Sequence, residues 1–479
     1  MFWLIGSLES IRRGRGAEVI LTAQRWDYSI QVVPKAGTGL ARGTSIGPTC
    51  RIGGRLEKPA PKTRFPTPSP SGYLVHMAFS PPVQRLALAM ASTLVALGGG
   101  WLVLKALSDE GATVEFVDDA DAFRAELARR AESGEAVVIA DAAELGQDFA
   151  RRLQEDLTEA DLFTLFPQLK RKSLRLRPGV HFGLLPNKRW HREFDEHPQG
   201  GFLRSTNALG MREDSEAGEA AVDLCVLVMG DSHTEGVCAN SESLANRFEH
   251  RLRVERPDEL VEVWNVAVGG FTPANYLGTL EAYGQLQPHA LVLVFYGGND
   301  FRESLAPWRY LYRRPPGEQS NADTSVLMEG GKQGIALLGQ ELHQALGFSA
   351  DPAAGNDALR LAQACGMELD RQCRERGMRF LFVYLPPPSD AQPERYRERV
   401  LKGLLSVGGD PVGLEFGNIL ADATLRGLDE AGVATLDLRP AFASAPEALY
   451  WNTDLHLNLR GHDLAGQLIY QAFKALPPR

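Results

Sequence analysis

Four short polar clusters between residues 230 and 458 hold the side chains from which nucleophilic catalysis is built, namely Ser, His, Asp and Asn. Three of them directly follow apolar runs, and the fourth precedes a C-terminal helical pattern. They are G-D-S-H at 230–233, N-V-A-V-G-G at 265–270, G-G-N-D at 297–300 and D-L-H-L-N at 454–458. Serine is a weak nucleophile without a neighbouring base, and imidazole titrates near neutral pH.

The elements that must position these clusters alternate between apolar strands and amphipathic helices. Continuous apolar runs, as in L-C-V-L-V-M-G, are typical of strands buried on both faces. Such strands are predicted at 224–230, 261–268, 290–297, 379–386 and 433–440. Strand–helix alternation at these lengths predicts an α/β fold with a parallel sheet, interrupted by a long insertion at 303–355. Ligands of such sheets bind beyond the carboxyl ends of the strands, where three of the clusters lie.

The clusters and their order resemble the SGNH (GDSL-type) hydrolase family, over about residues 222–475. The resemblance implies a three-layer α/β/α, flavodoxin-like fold of about five parallel strands in a hydrolase domain at 222–479. It implies Ser232 as nucleophile, His456 as general base and Asp454 as the carboxylate that orients it. It also implies an oxyanion hole made by the backbone N–H groups of Ser232 and Gly270 and the side-chain amide of Asn299.

Elementary chemistry supports these roles, because an oxyanion needs preorganised donors and glycine lets the backbone approach a substrate closely. One departure concerns the carboxylate: the familiar family spacing is D-x-x-H, and here it is D-x-H, with Thr453 three residues before His456. If Asp454 points away, a Ser–His dyad supported by a backbone carbonyl is the alternative.

Neighbouring polar residues are predicted to have structural roles. Asp231 and Asp300 are expected to hold the turns beside the site, and His233 and His462 to be structural. Ser232 itself could merely cap the following helix. No metal site is expected, since His456 and His462 lack a third ligand at a sensible spacing, and no cofactor is implied.

The first part of the chain carries no catalytic pattern of its own. Residues 1–76 are predicted to be a disordered, basic, Pro/Gly-rich extension, which could lie upstream of a true start at Met77. Residues 86–104 are 19 uncharged, mostly apolar residues, which predicts a transmembrane signal-anchor helix at 84–106. A buried core helix or a cleaved signal peptide are the alternatives. Residues 108–215 are expected to form a small N-terminal α/β-mixed unit, helical first and then β-like, that leads into the hydrolase domain.

Charge and cysteine content narrow the functional classes. The net charge is -9, and residues 1–83 hold eleven Lys and Arg against four Asp and Glu, so the acidic residues are concentrated in the rest of the chain. Because that larger part is strongly acidic, nucleic-acid binding is not expected. Five cysteines without C-x-x-C indicate neither a metal framework nor a disulfide scaffold. A G-x-S-x-G sequence at 43–47 lacks the strand and helix that a nucleophile elbow needs.

Together these patterns predict a serine esterase, anchored by one N-terminal helix, with its catalytic domain outside the cytoplasm in the periplasm or at the cell surface. The expected substrate is a small-molecule or glycan ester, with acylated cell-envelope polysaccharide or peptidoglycan favoured by location. Two alternatives remain. One is an O-acyltransferase, such as an acetyltransferase, that modifies envelope polysaccharide, and the other is a non-enzymatic, SGNH-like envelope-binding module.

Overall fold

The computed structural model describes residues 17–24, 27–34, 138–217, 222–312, 339–351 and 354–477. The chain falls into two compact units, Met1–Val114 and Glu115–Arg479. In the first unit, strands β1 (Ala17–Gln24) and β2 (Asp27–Pro34) pair antiparallel. This hairpin lies in the segment 1–76, for which the sequence predicts disorder. Its Val, Ile and Thr residues favour extended backbone.

The second unit begins with a lead-in region, which we define as residues 138–217. Helices α1 (Val138–Glu155) and α2 (Glu159–Leu165) come first, followed by a 3₁₀ turn at Pro167–Lys170. A capping box between Thr158 and Asp161 fixes the start of α2. Two antiparallel pairs complete the region: β3 (Leu174–Arg177) with β4 (His181–Leu184), and β5 (Arg189–Glu193) with β6 (Gly201–Ser205).

A five-stranded parallel sheet forms the centre of the second unit, and its strands have the α/β arrangement that the sequence predicts. They are β7 (Leu224–Gly230), β8 (Val261–Asn265), β9 (Ala290–Tyr296), β10 (Arg379–Leu385) and β11 (Thr435–Asp437). Their order is β8-β7-β9-β10-β11, which is the 2-1-3-4-5 order of flavodoxin-like folds. The second strand is shorter than predicted because the chain turns into the loop that carries Gly270, and the fifth is shorter because a helix begins at Arg439.

Helices connect these strands. In chain order they are α3 (Ser232–Glu235), α4 (Leu244–Glu255), α5 (Pro273–Tyr276), α6 (Thr279–Tyr283), α7 (Asp300–Glu303), α8 (Leu305–Leu311), α9 (Gly339–Ala350), α10 (Ala354–Glu375), α11 (Pro388–Ala391), α12 (Pro393–Ser406), α13 (Val412–Glu430), α14 (Arg439–Ala443) and α15 (Leu459–Ala475). The predicted insertion at 303–355 therefore contains the whole of α8 and α9. Its residues 313–338 lie outside the described residues.

Both faces of the sheet are buried, as the continuous apolar runs predict. Alternate residues of β7 enter different cores: Leu227 and Met229 pack with the lead-in region, α10 and α13, whereas Val226 and Val228 pack with α4 and α15. The lead-in region shares the first core, since Phe149, Phe166 and Phe182 belong to it. Lead-in region and sheet are therefore one folded body.

Several predictions concern residues outside this description. The segment 84–106 is not described, and in the described parts of the chain no helix is long and apolar enough to cross a bilayer. The G-x-S-x-G sequence at 43–47 is also outside the described residues.

Cys365 and Cys373 both lie on α10 and are unbridged, as are Cys225 and Cys238.

Candidate active site

The functional residues converge where the strand order of the sheet reverses. The chain runs from β7 outward to β8, and then returns to place β9 on the other side of β7. A crevice therefore opens at the carboxyl ends of these strands. Ser232 follows β7, Gly270 follows β8 and Asn299 follows β9.

Ser232 is the first residue of α3 and is not the cap of that helix. The cap is Asp231, whose side chain accepts a hydrogen bond from the backbone N–H of His233 at 2.8 Å. Asp231 thus holds the turn, as the sequence predicts, and the hydroxyl of Ser232 is available for other partners. Ser232 Oγ lies 2.8 Å from His456 Nε2 and accepts a hydrogen bond from Gln340 Nε2 at 3.3 Å.

The D-x-H spacing reaches the imidazole through a tight turn. Asp454 Oδ1 lies 2.7 Å from His456 Nδ1 and also accepts the backbone N–H of His456 at 3.1 Å. The residue between them, Leu455, adopts a left-handed conformation with φ of 61° and is buried. A side chain that accepts from the backbone two residues later forms an Asx turn, and this turn brings carboxylate and ring together. The dyad alternative therefore does not match the geometry.

Asp454 is held in its charged form. Partial burial alone would raise the pKa of Asp454, but hydrogen bonds from His456 and the positive charge of Arg192 outweigh burial and lower that pKa. Arg192 Nη2, on β5, lies 3.5 Å from Asp454 Oδ2. A charged carboxylate on Nδ1 leaves Nε2 of the neutral ring as the acceptor for the serine proton.

Two of the three residues predicted to supply oxyanion donors, Ser232 and Gly270, line the same cleft. Gly270 has φ of +92°, which other residues rarely adopt. The preceding Gly269 lies against Ser232, since a Cβ built on Gly269 would be 3.4 Å from the Cβ of Ser232. The side-chain amide of Asn299 is buried and makes no hydrogen bond of ordinary geometry within the described residues.

Asp300 holds the turn that carries Asn299, and Asp231 holds the turn that carries Ser232. Asp300 accepts the backbone N–H of Tyr296 at 2.9 Å and the hydroxyl of Tyr276 at 3.0 Å. Burial raises the pKa of Asp231 to about 6, although the backbone N–H of His233 donates a hydrogen bond to its carboxylate at 2.8 Å. Asp231 and Asp300 thus accept backbone N–H groups in the turns next to Ser232 and Asn299.

His233 lies against one face of the catalytic imidazole. Its ring is stacked on His456 at 4.4 Å between centroids and on Tyr296 at 3.7 Å. Burial, together with the neighbouring imidazoles of His456 and His462, lowers the pKa of His233 well below its ordinary value. His233 is therefore neutral, and an imidazolium formed at His456 meets an uncharged ring.

The lead-in region supplies contacts to the site that sequence reasoning missed. Arg192 contacts Asp454, Gln168 Nε2 donates to the carbonyl of Gly270 at 2.9 Å, and Arg204 forms an ion pair with Glu235. No local spacing could have revealed them, because Gln168 is 102 residues and Arg192 262 residues from its partner.

A cleft of about 1080 Å³ is lined by Ser232, Asp454 and His456. One part of its lining is apolar, from Leu165, Phe166, Leu305, Pro307 and Phe348. Within the described residues no three His, Cys, Asp or Glu side chains gather as a metal would require. The site has the parts for acyl transfer through serine: a nucleophile, a base, an orienting carboxylate and candidate oxyanion donors.

A family model described as the GDSL-like lipase/acylhydrolase family matches residues 228–464. These residues form a GDSL-like acylhydrolase domain. The protein is thus a hydrolase of the class that the four motifs resemble. The GDSL-like domain begins inside β7 and ends inside α15, so the lead-in region lies outside it. No match to a curated protein reaches significance.

Solved structures similar to the chain are also hydrolases by their descriptions. They include LAE5, an alpha/beta hydrolase enzyme from the metagenome of Lake Arreo, Spain, with a TM-score of 0.32 and 14% identity over 54% of this chain and 98% of that one. A lipase/acylhydrolase from Enterococcus faecalis has a TM-score of 0.30 and 17% identity over 53% of this chain and 98% of that one. The acetyl xylan esterase AlAXEase has a TM-score of 0.31 and 15% identity over 52% of this chain and 99% of that one. Likenesses of this size carry no argument about substrate.

Proposed function

We propose that the protein hydrolyses carboxylic esters through an acyl-enzyme, with Ser232 as nucleophile, His456 as general base and Asp454 as its orienting carboxylate. The observation that carries this is the line of contacts from Ser232 Oγ to His456 Nε2 at 2.8 Å and from Nδ1 to Asp454 at 2.7 Å. Such a line is the arrangement that activates a serine hydroxyl.

In the first half of the reaction, the Ser232 proton passes to His456 Nε2 while Oγ bonds to the ester carbonyl carbon. The resulting oxyanion accepts hydrogen bonds from the N–H groups of Ser232 and Gly270 and from Asn299. His456 then returns the proton to the leaving alcohol as the carbon–oxygen bond of the ester breaks. In the second half, water attacks the acyl-enzyme by the same route, and the carboxylic acid leaves with Ser232 regenerated.

We further propose that the substrate is an acyl ester on a glycan of the cell envelope and that the apolar run at 86–104 anchors the enzyme with its catalytic domain outside the cytoplasm. The open cleft of about 1080 Å³ supports a substrate larger than a short acyl group with a small alcohol. The uncharged run and the basic residues before it support the anchor. Hydrolysis of lipid or short aryl esters without acetate release from envelope glycans would contradict the glycan proposal.

The mechanism is tested by treating the full chain with a fluorophosphonate and mapping the labelled peptide by mass spectrometry. Labelling at Ser232 that disappears in Ser232→Ala, with a loss of at least ~10⁴-fold in ester hydrolysis, is the expected result. Ser349→Ala is the matched control, because that hydroxyl donates to the carbonyl of Ala345 within α9. Folded wild-type protein that is not labelled would contradict the proposed mechanism.

A further inference from the structure

The backbone that carries the Gly270 donor consists of two consecutive glycines. Glycine has the widest conformational freedom of any residue, so the 269–270 segment is the softest part of the candidate oxyanion hole. Donors stabilise an oxyanion strongly only when they are already oriented before the reaction. A turn hydrogen bond from the Phe271 N–H to the Val268 carbonyl at 2.9 Å closes over the two glycines, and contacts from outside the turn must further fix the direction of the Gly270 N–H.

Two side chains hold this segment, one on each side of the Gly270 N–H. On the near side, the N–H of Gly269 donates to Glu235 Oε2 at 2.6 Å. On the far side, the carbonyl of Gly270 accepts from Gln168 Nε2 at 2.9 Å. The Gln168 side chain also packs on the glycine, since a Cβ built on Gly270 would meet Gln168 Cγ at 3.3 Å.

Both anchors depend on the lead-in region. Gln168 belongs to the 3₁₀ turn at Pro167–Lys170, and Glu235 forms its ion pair with Arg204 of β6. Glu235 is buried and lies inside the GDSL-like domain, whereas Gln168 and Arg204 lie outside residues 228–464. Nothing else in the described chain bonds to the Gly270 carbonyl.

We propose that Gln168 is a positioning residue that orients the Gly270 N–H, so that the lead-in region completes the oxyanion hole of the hydrolase domain. The inference rests on the proposed function, since it assigns Gln168 a task within that mechanism. The amide of Gln168 acts through the Gly270 carbonyl and transfers no proton. Its effect is therefore on the turnover number, because only the transition state carries the oxyanion.

The test compares Gln168→Met and Gln168→Glu with wild type on 4-nitrophenyl acetate, using the full chain. Methionine keeps the volume without the donor, and glutamate keeps the shape but presents an oxygen to the Gly270 carbonyl. Removing a whole oxyanion donor typically costs about 10²–10³ in kcat. Misplacing one is expected to lower kcat by about 10–100-fold, with KM within about twofold of wild type.

The matched control is Gln154→Met. Gln154 Nε2 donates to the carbonyl of Gly179 at 2.7 Å, so it makes the same kind of bond to a glycine in the same region, away from the cleft. This control is expected to keep wild-type kcat. Titrating active sites with a fluorophosphonate gives kcat per competent enzyme, so a variant that folds incompletely still yields a valid comparison.

Wild-type kcat per labelled site in both Gln168 variants would overturn the inference while leaving the mechanism intact. An equal loss in Gln154→Met would also overturn it, because the effect would then belong to general packing of the lead-in region. Failure of wild-type Ser232 to label would instead remove the proposed function itself.

Discussion

Asn299 is buried, and its side-chain amide makes no hydrogen bond of ordinary geometry within the described residues. A buried amide without partners costs roughly 1–3 kcal/mol of folding free energy. Such a cost is typical of groups whose partner appears only during the reaction. In the proposed mechanism, that partner is the oxyanion.

We therefore expect Asn299→Ala to lower kcat by about 10²–10³-fold while the melting temperature stays equal or rises. Steady-state kinetics and thermal unfolding of the same preparation measure both quantities. Asn246→Ala is a useful control, because its side chain donates to Glu213 at 2.8 Å and its loss should reduce stability rather than kcat. A melting temperature for Asn299→Ala well below wild type would show that the amide stabilises the fold.

A site residue can be predicted from the sequence when its position depends on its neighbours in the chain, and not when it depends on residues far away in the chain. Ser232, Asn299 and the two glycines follow apolar strands, so motif and element together predict where they lie. The contact between Asp454 and His456 is harder to predict, because it depends on the left-handed backbone of Leu455. Leucine does not favour that conformation. Gln168 and Arg192 could not be predicted, since their partners are set only by tertiary packing.

At the scale of elements, the β5–β6 hairpin holds the loop that carries the catalytic histidine. Glu196, between the two strands, accepts the backbone N–H groups of Asn452 at 2.5 Å and Thr453 at 2.8 Å. Phe194 packs edge-on against Trp451, with 5.2 Å between ring centroids. The loop also closes on itself, since the Trp451 N–H donates to the His456 carbonyl at 2.8 Å, and the hairpin adds contacts at the tip of this turn.

Glu196→Ala is expected to lower kcat about tenfold, which corresponds to ~1.4 kcal/mol, because Asp454 and His456 follow the released loop. Stopped-flow or steady-state ester hydrolysis measures the change. Glu193→Ala on the same hairpin is the control, since that side chain is exposed. Equal kinetics for the two variants would mean that the loop holds its shape without the hairpin.

The strands show which parts of the fold can be predicted from the sequence. Apolar runs predicted all five strands of the sheet, because burial on both faces demands uninterrupted apolar sequence. The β1–β2 hairpin was not predicted, since its alternation is short and lies in a segment dominated by Gly, Pro and basic residues. The packing of the lead-in region against the sheet was also not predicted. The amphipathic pattern of α1 predicts that one face of the helix is buried but does not indicate which element covers that face.

At the scale of the whole molecule, buried carboxyls make stability depend on pH. Burial raises the pKa of Glu213 to about 8, although Asn265 and Asn246 donate hydrogen bonds to it. In the unfolded chain this glutamate titrates near its ordinary value of 4.5. Between these values the folded state binds more protons, so the free energy of unfolding falls as pH rises, by at most ~1.4 kcal/mol per pH unit.

Glu213→Gln is therefore expected to lose less stability than wild type as pH rises from 6 to 9. Thermal unfolding followed by circular dichroism at several pH values measures the two curves. The exposed Glu430→Gln serves as control and should track wild type. Parallel curves for wild type and Glu213→Gln would contradict the assignment.

The distance along the chain between the two reacting side chains has a consequence for biosynthesis. Ser232 and His456 are 224 residues apart, and His456 lies on the last loop before the final helix. A nascent chain thus carries its serine long before it carries the base that activates it. In the proposed mechanism, a nascent chain that ends before His456 holds a serine without its base, so its hydroxyl is not yet activated for attack on esters.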